Sequence, residues 1–530
     1  MNIFSFVYLA VFLLAGFCIA RRALPQAGLS VSIPLGCGFG VSLLAFVSAC
    51  FAVVLGFRLP ALLLAAAVVA ALAVWLARHG TPFTRVPDPD AAALWACVLP
   101  LAVVTLYLLH THVLHLVDGS YHTGQSCYGD MAMHLGFIKN IAVTGKLPPV
   151  YPLLGGEHRF GYPFLCETVS SVFLVLGADA RTAYLLPMLA AFTSVYGMMW
   201  QLARQVLGSA GKACLAATSV ILLALVLICL ACGVYTLVCR PRTKAVLAPW
   251  GWFALVCGVV WLVEMWNTVF AQSLDGQHML RLHLNWINGQ DDGTLKDNYF
   301  WFYIKNIGLV YLLLIPAFFH AKLKQRWLYG GGLAILVLAE FVVFQPNNYD
   351  NNKLLYIWHL LGCLLVASLL MDWFSKVRAI PWRALGLAAC CFAGMFGSVL
   401  TVGREALSDY RQWSADDMAL ADHIDENAGS DALFLTSDSH LTPVFALAGR
   451  RILCGSGSYV YYHGMDYSAE YNAMRALYET PDEDTLAAWD IGYAVFDSSV
   501  YAKFAADESW YAARYDVWYE NAACHVYKIK

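Results

Sequence analysis

The stretch Pro60-Ala-Leu-Leu-Leu-Ala-Ala-Ala-Val-Val-Ala-Ala-Leu-Ala-Val-Trp-Leu-Ala77 carries no charged side chain and decides the class of fold. As an α-helix it rises about 27 Å at 1.5 Å per residue, close to the ~30 Å thickness of the hydrocarbon core of a bilayer. Runs of similar character recur through the first three quarters of the chain. We therefore predict an α-helical polytopic membrane protein.

The composition agrees with this class. Hydrophobic residues make up 60% and charged residues 13% of the 530 positions, and the mean hydropathy is +0.60. Soluble domains contain nearer ~25% charged residues. The net charge of -3 gives no indication of a nucleic-acid partner. Most of the 16 cysteines lie within apolar runs, where we expect small buried side chains and not a disulfide framework or a metal site.

Length and flanking charge predict about 12 membrane spans within a transmembrane region, residues 1–402. Basic residues gather in alternate loops, which the positive-inside rule assigns to the cytoplasm, so the N-terminus is expected outside. The predicted spans are 3–20, 31–57, 60–77, 92–114, 164–179, 183–203, 213–238, 246–269, 301–320, 327–345, 354–373 and 383–402. The predicted outer loops are 115–163, 271–300 and 346–353.

The tail, residues 403–530, changes character because charges become frequent and long apolar runs disappear. Its pattern predicts a C-terminal extracytoplasmic α/β domain that covers the mouth of the membrane bundle. Cys454 and Cys524 fall on the expected oxidising side, and the sequence leaves open whether they form a disulfide. The predicted helices are 417–426 and 467–478, the predicted strands are 432–436 and 492–496, and a terminal hairpin is expected over 515–530.

The polar segment Tyr128-Gly-Asp-Met-Ala-Met-His134 precedes a predicted amphipathic helix, 131–143. Asp130 falls at the start of this helix, where free backbone N–H groups stabilise a carboxylate. It is either a helix cap or a functional acid at the mouth of the bundle. His134 shares its face one turn later and is either structural or part of the same pocket.

A second polar segment, Asn347-Asn-Tyr-Asp-Asn-Asn-Lys353, lies just ahead of a predicted span. Asp350 and Asn351 carry directional hydrogen-bonding groups, and Lys353 is placed either to bind phosphate or to extend towards the headgroups. His359 lies nearly two turns further into the span, where an imidazole is costly without a partner. A third group comprises Glu264, near the outer end of a span, and Trp286 in the following loop. It is either a sugar-binding surface or an aromatic belt.

With these motifs the chain resembles the polytopic glycosyltransferases of the GT-C superfamily, especially bacterial members. The resemblance covers most of the chain from about residue 90 onward. It depends on Gly129-Asp130 before an amphipathic helix, on Pro148-Pro-Val-Tyr-Pro152 and Phe160-Gly-Tyr-Pro163, on Tyr349-Asp-Asn-Asn-Lys353 and on the closing hairpin. Such enzymes transfer a sugar from a polyprenyl-phosphate donor to an acceptor outside the cytoplasm.

The resemblance implies roles for particular residues. Asp130 would be the catalytic base, and the donor phosphate would meet Lys353, with Arg159 or His359 as further candidates. A divalent metal, Mg²⁺ or Mn²⁺, would be held by Asp130 and Asp350 if one is used. The remaining expected pocket or acceptor residues are His134, Tyr162, Glu264, Asp350, Asn351 and Trp286.

The resemblance also implies partners and a location. The partners would be a lipid-linked sugar donor, membrane lipids and a glycan, lipid or protein acceptor, and the protein would lie in the cell membrane. A transporter or flippase for a lipid-linked or anionic solute is the main alternative, although transporters place binding groups near the bilayer midplane. A non-catalytic envelope scaffold is a third interpretation.

Overall fold

The computed structural model describes residues 3–79, 86–218, 236, 238, 240, 243–271, 281–289, 294–343 and 352–530. Its first part is helical. The helices are α1 (Ile3–Ala23), α2 (Leu29–Leu55), α3 (Leu59–His79), α4 (Ala91–His112), α5 (Asp130–Thr144), α6 (Leu165–Val175), α7 (Ala180–Leu207), α8 (Ala210–Thr218), α9 (Lys244–Ala271), α10 (Tyr299–Ile307), α11 (Leu309–His320), α12 (Leu323–Phe341), α13 (Asn352–Ser375) and α14 (Ile380–Leu407).

Seven helices in the described part of the chain are long and apolar enough to cross a membrane. They are α1, α2, α3, α4, α7, α13 and α14. The pair α10 and α11 is bent by 101° and makes an eighth candidate if it counts as one broken span. The protein is therefore a helical membrane protein, whereas the prediction of about 12 spans is not confirmed.

The predicted span 164–179 differs most clearly from the structure. Only Leu165–Val175 is helical, and 11 residues rise about 16 Å, which is short of the hydrocarbon core. This helix contains a buried acid, Glu167, and packs against α5 and against the long helices α2 and α7. Hydropathy and length suggested a span here because they do not distinguish a short buried helix from a membrane-crossing one.

Close packing of α1 against α2 depends on small residues. A Cβ atom on Gly16 would lie 2.2 Å from the carbonyl oxygen of Gly36 and 2.4 Å from the amide nitrogen of Gly40. No side chain larger than hydrogen fits without separating the two backbones. Small residues at such crossings are typical of helix pairs in membranes, where van der Waals contact drives association.

The C-terminal part contains sheets and short helices. The strands are β5 (Tyr410–Trp413), β6 (Leu433–Leu435), β7 (Arg451–Ile452), β8 (Tyr493–Asp497), β9 (Val517–Glu520) and β10 (Cys524–Lys528). The main sheet has five of them in the order β7-β6-β8-β10-β9, with β6 parallel to both neighbours and β10 antiparallel to β8 and β9. The helices are α15 (Ala415–Asn427), α16 (Pro443–Ala446), α17 (Gly457–Tyr462), α18 (Ser468–Glu479), α19 (Glu483–Ala488), α20 (Ser498–Lys503) and α21 (Glu508–Ala512).

The predicted elements of the tail agree with this arrangement: α15, α18, β6, β8 and the β9–β10 hairpin occupy the expected positions. The boundary expected at residue 402 falls inside α14, which continues to Leu407. Cys454 and Cys524 are both buried free thiols and do not form a disulfide in the structure. The short antiparallel pair β3 (Arg281–Leu282) and β4 (Val342–Val343) connects the segment after α9 with the end of α12.

The segment between α4 and α6 is bound to the C-terminal part and is not a separate loop. Strands β1 (His115–Val117) and β2 (Ser120–Thr123) form a three-stranded sheet with β5 from the tail. The Asn140 side chain on α5 donates a hydrogen bond to the Gly449 carbonyl at 2.8 Å. Because they are in contact, the Asp130 segment and the tail share one side of the protein, and α5 lies beneath the C-terminal domain.

Candidate functional site

Asp130 is the first residue of α5 and is exposed. One carboxylate oxygen accepts a hydrogen bond of 2.8 Å from the hydroxyl of Tyr459, which belongs to α17 of the C-terminal domain. A carboxylate in the first turn of a helix is also stabilised by the helix dipole. The acid is thus held by both parts of the protein while remaining open to solvent.

His134 lies one turn further along α5 and forms an ion pair with a buried acid. Its Nδ1 atom is 2.6 Å from a carboxylate oxygen of Glu167, whose side chain is 4% exposed. Burial alone lowers the pKa of His134, but the hydrogen bond and charge of Glu167, with the charge of Asp130, outweigh it and raise the pKa. The pair leaves Nε2 as the ring nitrogen that can meet a ligand.

Lys353 lies in the first turn of α13 and is exposed. Its positive charge is near enough to oppose the rise in the pKa of His134. The structure therefore brings Lys353 into the same region as Asp130 and His134, although Lys353 lies far along the chain from both. An acid, a histidine–glutamate pair and an ammonium group thus lie in one region of the protein.

The C-terminal domain adds histidines to this region. The ring of His440 lies 4.3 Å from the ring of Tyr459, and its Nε2 is 3.2 Å from the Gly129 carbonyl oxygen, which it can reach as a donor. His463 makes a 2.7 Å hydrogen bond to the Tyr151 hydroxyl. Burial, and then the charge of His134, lower the pKa of His463 to about 3, so this ring is neutral at ordinary pH.

Of the other predicted residues, Tyr162 belongs to the site. Its ring centre is 5.8 Å from that of His134 and 4.8 Å from that of His463. Arg159 is exposed, and no contact in the described part of the chain joins it to Asp130. Its expected role at the donor phosphate stays a prediction.

Two further predicted residues, Trp286 and His359, have their recorded hydrogen bonds with residues other than Asp130. Trp286 is buried and donates its indole N–H to the Ala339 carbonyl, which is a packing role against α12. His359 lies deeper along α13, with Cys363 Sγ 3.5 Å from its Nε2.

Asp350 and Asn351, and the side chain of Glu264, lie outside what the structure describes. Within the described ranges no group of three or more His, Cys, Asp or Glu side chains is arranged to hold a metal.

Sequence reasoning missed three members of the site: Glu167, Tyr459 and His463. An acid within an apolar run is costly, so Glu167 carried a usable signal inside the predicted span 164–179. Nothing in the sequence around His463 or His440 relates either residue to Asp130. Their contribution depends on the docking of the C-terminal domain.

A cavity of about 750 Å³ lies between α4, α7, α11, α13 and α14, next to this surface. Its volume falls in the ~300–1,000 Å³ range of pockets that bury a small molecule. The walls are mostly apolar, and the polar lining includes His112, Ser126, His359 and Glu405. Cys127, three residues before Asp130, also lines it, so the cavity approaches the acid.

The fold and the site together define a helical membrane protein whose polar surface site is completed by a C-terminal domain. No protein-family model matches the chain, and no curated protein matches it. The resemblance to the GT-C superfamily therefore stays a prediction.

Replacing Glu167 by glutamine is expected to lower the pKa of His134, because burial would remain while the partner charge is lost. A histidine whose pKa is raised by folding stabilises the folded state at pH values below its unfolded-state pKa, near 6.5. This contribution disappears as the pH rises through the folded-state pKa. The stability difference between wild type and Glu167→Gln should therefore be on the order of 1 kcal/mol at pH 5.5 and smaller at pH 8.5. Thermal unfolding in detergent measures it.

The matched control is Asp409→Asn, which alters a second carboxylate–histidine pair, to His122. Asp409 is 66% exposed, so solvent screens this pair and little change is expected at either pH. An equal loss of stability at both pH values for Glu167→Gln would contradict the ionic origin of the coupling.

Proposed function

We propose that the protein is an integral membrane glycosyltransferase that moves a sugar from a polyprenyl-phosphate donor to an acceptor outside the cytoplasm. The observation that carries the proposal is that the Asp130 carboxylate and the Lys353 charge both act on the His134–Glu167 pair. A base and a cation within one site are what displacement at an anomeric carbon needs.

In this reaction the acceptor hydroxyl oxygen forms a bond to the anomeric carbon, and the bond between that carbon and the phosphate oxygen breaks. The polyprenyl phosphate leaves with the electron pair. Asp130 takes the proton of the hydroxyl, for which its exposed carboxylate is suited. The Tyr459 hydrogen bond holds the carboxylate in one orientation.

Negative charge develops on the departing phosphate and needs a cation nearby. Lys353 supplies one at the start of a candidate membrane span, where a lipid phosphate of the outer leaflet would lie. His134 is a second source of positive charge, because its raised pKa favours the protonated ring. The phosphate would thus lie between Lys353 and His134, with the acceptor on the side of Asp130.

A transporter of an anionic solute is the second candidate. The 101° bend between α10 and α11 favours it, because discontinuous helices form substrate sites in many transporters. The acid and the cations described above gather instead at the surface beneath the C-terminal domain, which favours an enzyme.

The test is transfer by the purified protein. Detergent-solubilised full-length protein is mixed with a series of radiolabelled polyprenyl-phosphate sugars and a membrane lipid extract, and products are separated by chromatography. Labelled product is expected with at least one donor. Uptake of the intact donor or solute into sealed vesicles, without transfer, would favour the transporter.

A reporter that is active only outside the cytoplasm, fused after Lys530, should be active if the site faces outward.

A further inference from the structure

The cavity described above has walls that suit a hydrocarbon chain. It lies between helices that are candidate membrane spans, and α14, which closes one side, has none of its most apolar window buried within the protein. A chain that enters from the bilayer would exchange lipid contacts for similar apolar contacts. The polar groups of the lining decide which head group accompanies the chain.

His112, the last residue of α4, is 4% exposed, and its Nε2 has no hydrogen-bond partner among the residues that the structure describes. The Thr111 hydroxyl donates to the Tyr107 carbonyl at 2.8 Å, so its oxygen accepts the 2.5 Å hydrogen bond from His112 Nδ1. The network therefore assigns the proton of a neutral His112 to Nδ1. Nε2 is left as a buried acceptor in the cavity lining, and it needs a donor.

Glu405 reinforces this requirement. It is the one charged residue among the described residues that line the cavity. Its carboxylate accepts hydrogen bonds from the Ser126 hydroxyl at 2.7 Å and from the Ser126 amide at 3.1 Å, which leaves further acceptor sites. A phosphate would meet a like charge here with no lysine or arginine in the described lining, whereas a hydroxyl group can donate its one hydrogen to His112 Nε2 or to Glu405.

The cavity also lies on the side of the proposed base. Burial raises the pKa of the Cys127 thiol, and the charges of Glu405 and Asp130 raise it further. Cys127 lines the cavity and lies three residues before Asp130 in the sequence, so it connects the cavity with the surface site.

From the unpartnered His112 acceptor, the Glu405 carboxylate and the apolar walls, we propose that the cavity binds a neutral lipid with a free hydroxyl group, and that this lipid is the sugar acceptor. The binding part stands on the cavity alone, while the acceptor role rests on the proposed function. The phosphate-linked donor remains at Lys353, outside the cavity.

The test is native mass spectrometry of the delipidated full-length protein with three lipids of equal chain length. They are 1,2-dioleoylglycerol, its 3-O-methyl ether and dioleoyl phosphatidic acid. We expect dioleoylglycerol to bind most tightly. His112→Phe, which keeps a planar ring but removes the acceptor, should weaken its binding about tenfold and leave the methyl ether unaffected.

The matched control is His79→Phe, which changes an exposed histidine at the end of α3, outside the cavity lining. It should leave binding unchanged. A second variant, Gly394→Leu, extends a side chain into the cavity where a Cβ meets nothing closer than 3.9 Å, and it should abolish binding of dioleoylglycerol. Gel filtration and thermal unfolding show whether the His112→Phe and Gly394→Leu proteins are folded.

Equal or tighter binding of the methyl ether or of phosphatidic acid would overturn the proposal, as would unchanged binding in folded His112→Phe and Gly394→Leu proteins. Binding is measured without a sugar donor, so its result is independent of transfer. Selective binding of dioleoylglycerol without any transfer to it, in the presence of an active donor, would contradict the acceptor role alone.

Discussion

Replacing Asp130 by asparagine is expected to lower the rate of sugar transfer by about 10²–10⁴-fold, the usual loss when a positioned base is removed. Asparagine keeps the size of the side chain, and its carbonyl oxygen can still accept the hydrogen bond from Tyr459. The variant should therefore fold with the same stability and lose only the ability to take a proton. Initial rates at saturating donor, together with thermal unfolding, measure the two effects.

The control for this variant is Asp118→Asn. Asp118 is an exposed acid in the turn between β1 and β2, with a φ of 48°, a conformation that asparagine also tolerates. The Asp118→Asn protein should retain full activity. An Asp130→Asn protein with wild-type turnover would remove the base from the proposed mechanism.

Replacing Lys353 by alanine is expected to lower turnover by about 10²–10³-fold, comparable to the loss of one group that stabilises developing charge. Lysine acts here as a point charge, so Lys353→Arg should retain a large part of the activity. Donor analogues with better leaving groups should be less affected, because they depend less on a cation beside the departing oxygen.

A second measurement on Lys353→Ala is independent of activity. Lys353 opposes the rise in the pKa of His134, so its removal should raise that pKa further, as followed by NMR titration of labelled histidine. Lys376→Ala, a change beyond the other end of α13, is the control and should alter neither quantity. An unchanged His134 titration in Lys353→Ala would contradict the placement of the two residues in one site.

Much of the local structure could be predicted from the sequence. The apolar runs identified the membrane class, and the run 131–143 gave the position of α5 because helical periodicity is a local property. The tail elements were predicted for the same reason. The span expected over 164–179 was not found, since hydropathy there does not reveal that the helix ends after Val175 and buries Glu167 against α5.

The candidate site also has features that the sequence determines and features that it does not. The sequence by itself determined the presence of an acid at the start of a helix and of a lysine at the start of a later span, because both depend on flanking residues. Only the tertiary structure decided that Glu167 pairs with His134, that Tyr459 holds Asp130, and that a cavity ends beside Cys127. The physical reason is that hydrogen bonds and cavities form between side chains brought together by packing, and the pattern around each residue contains no information about its distant partner.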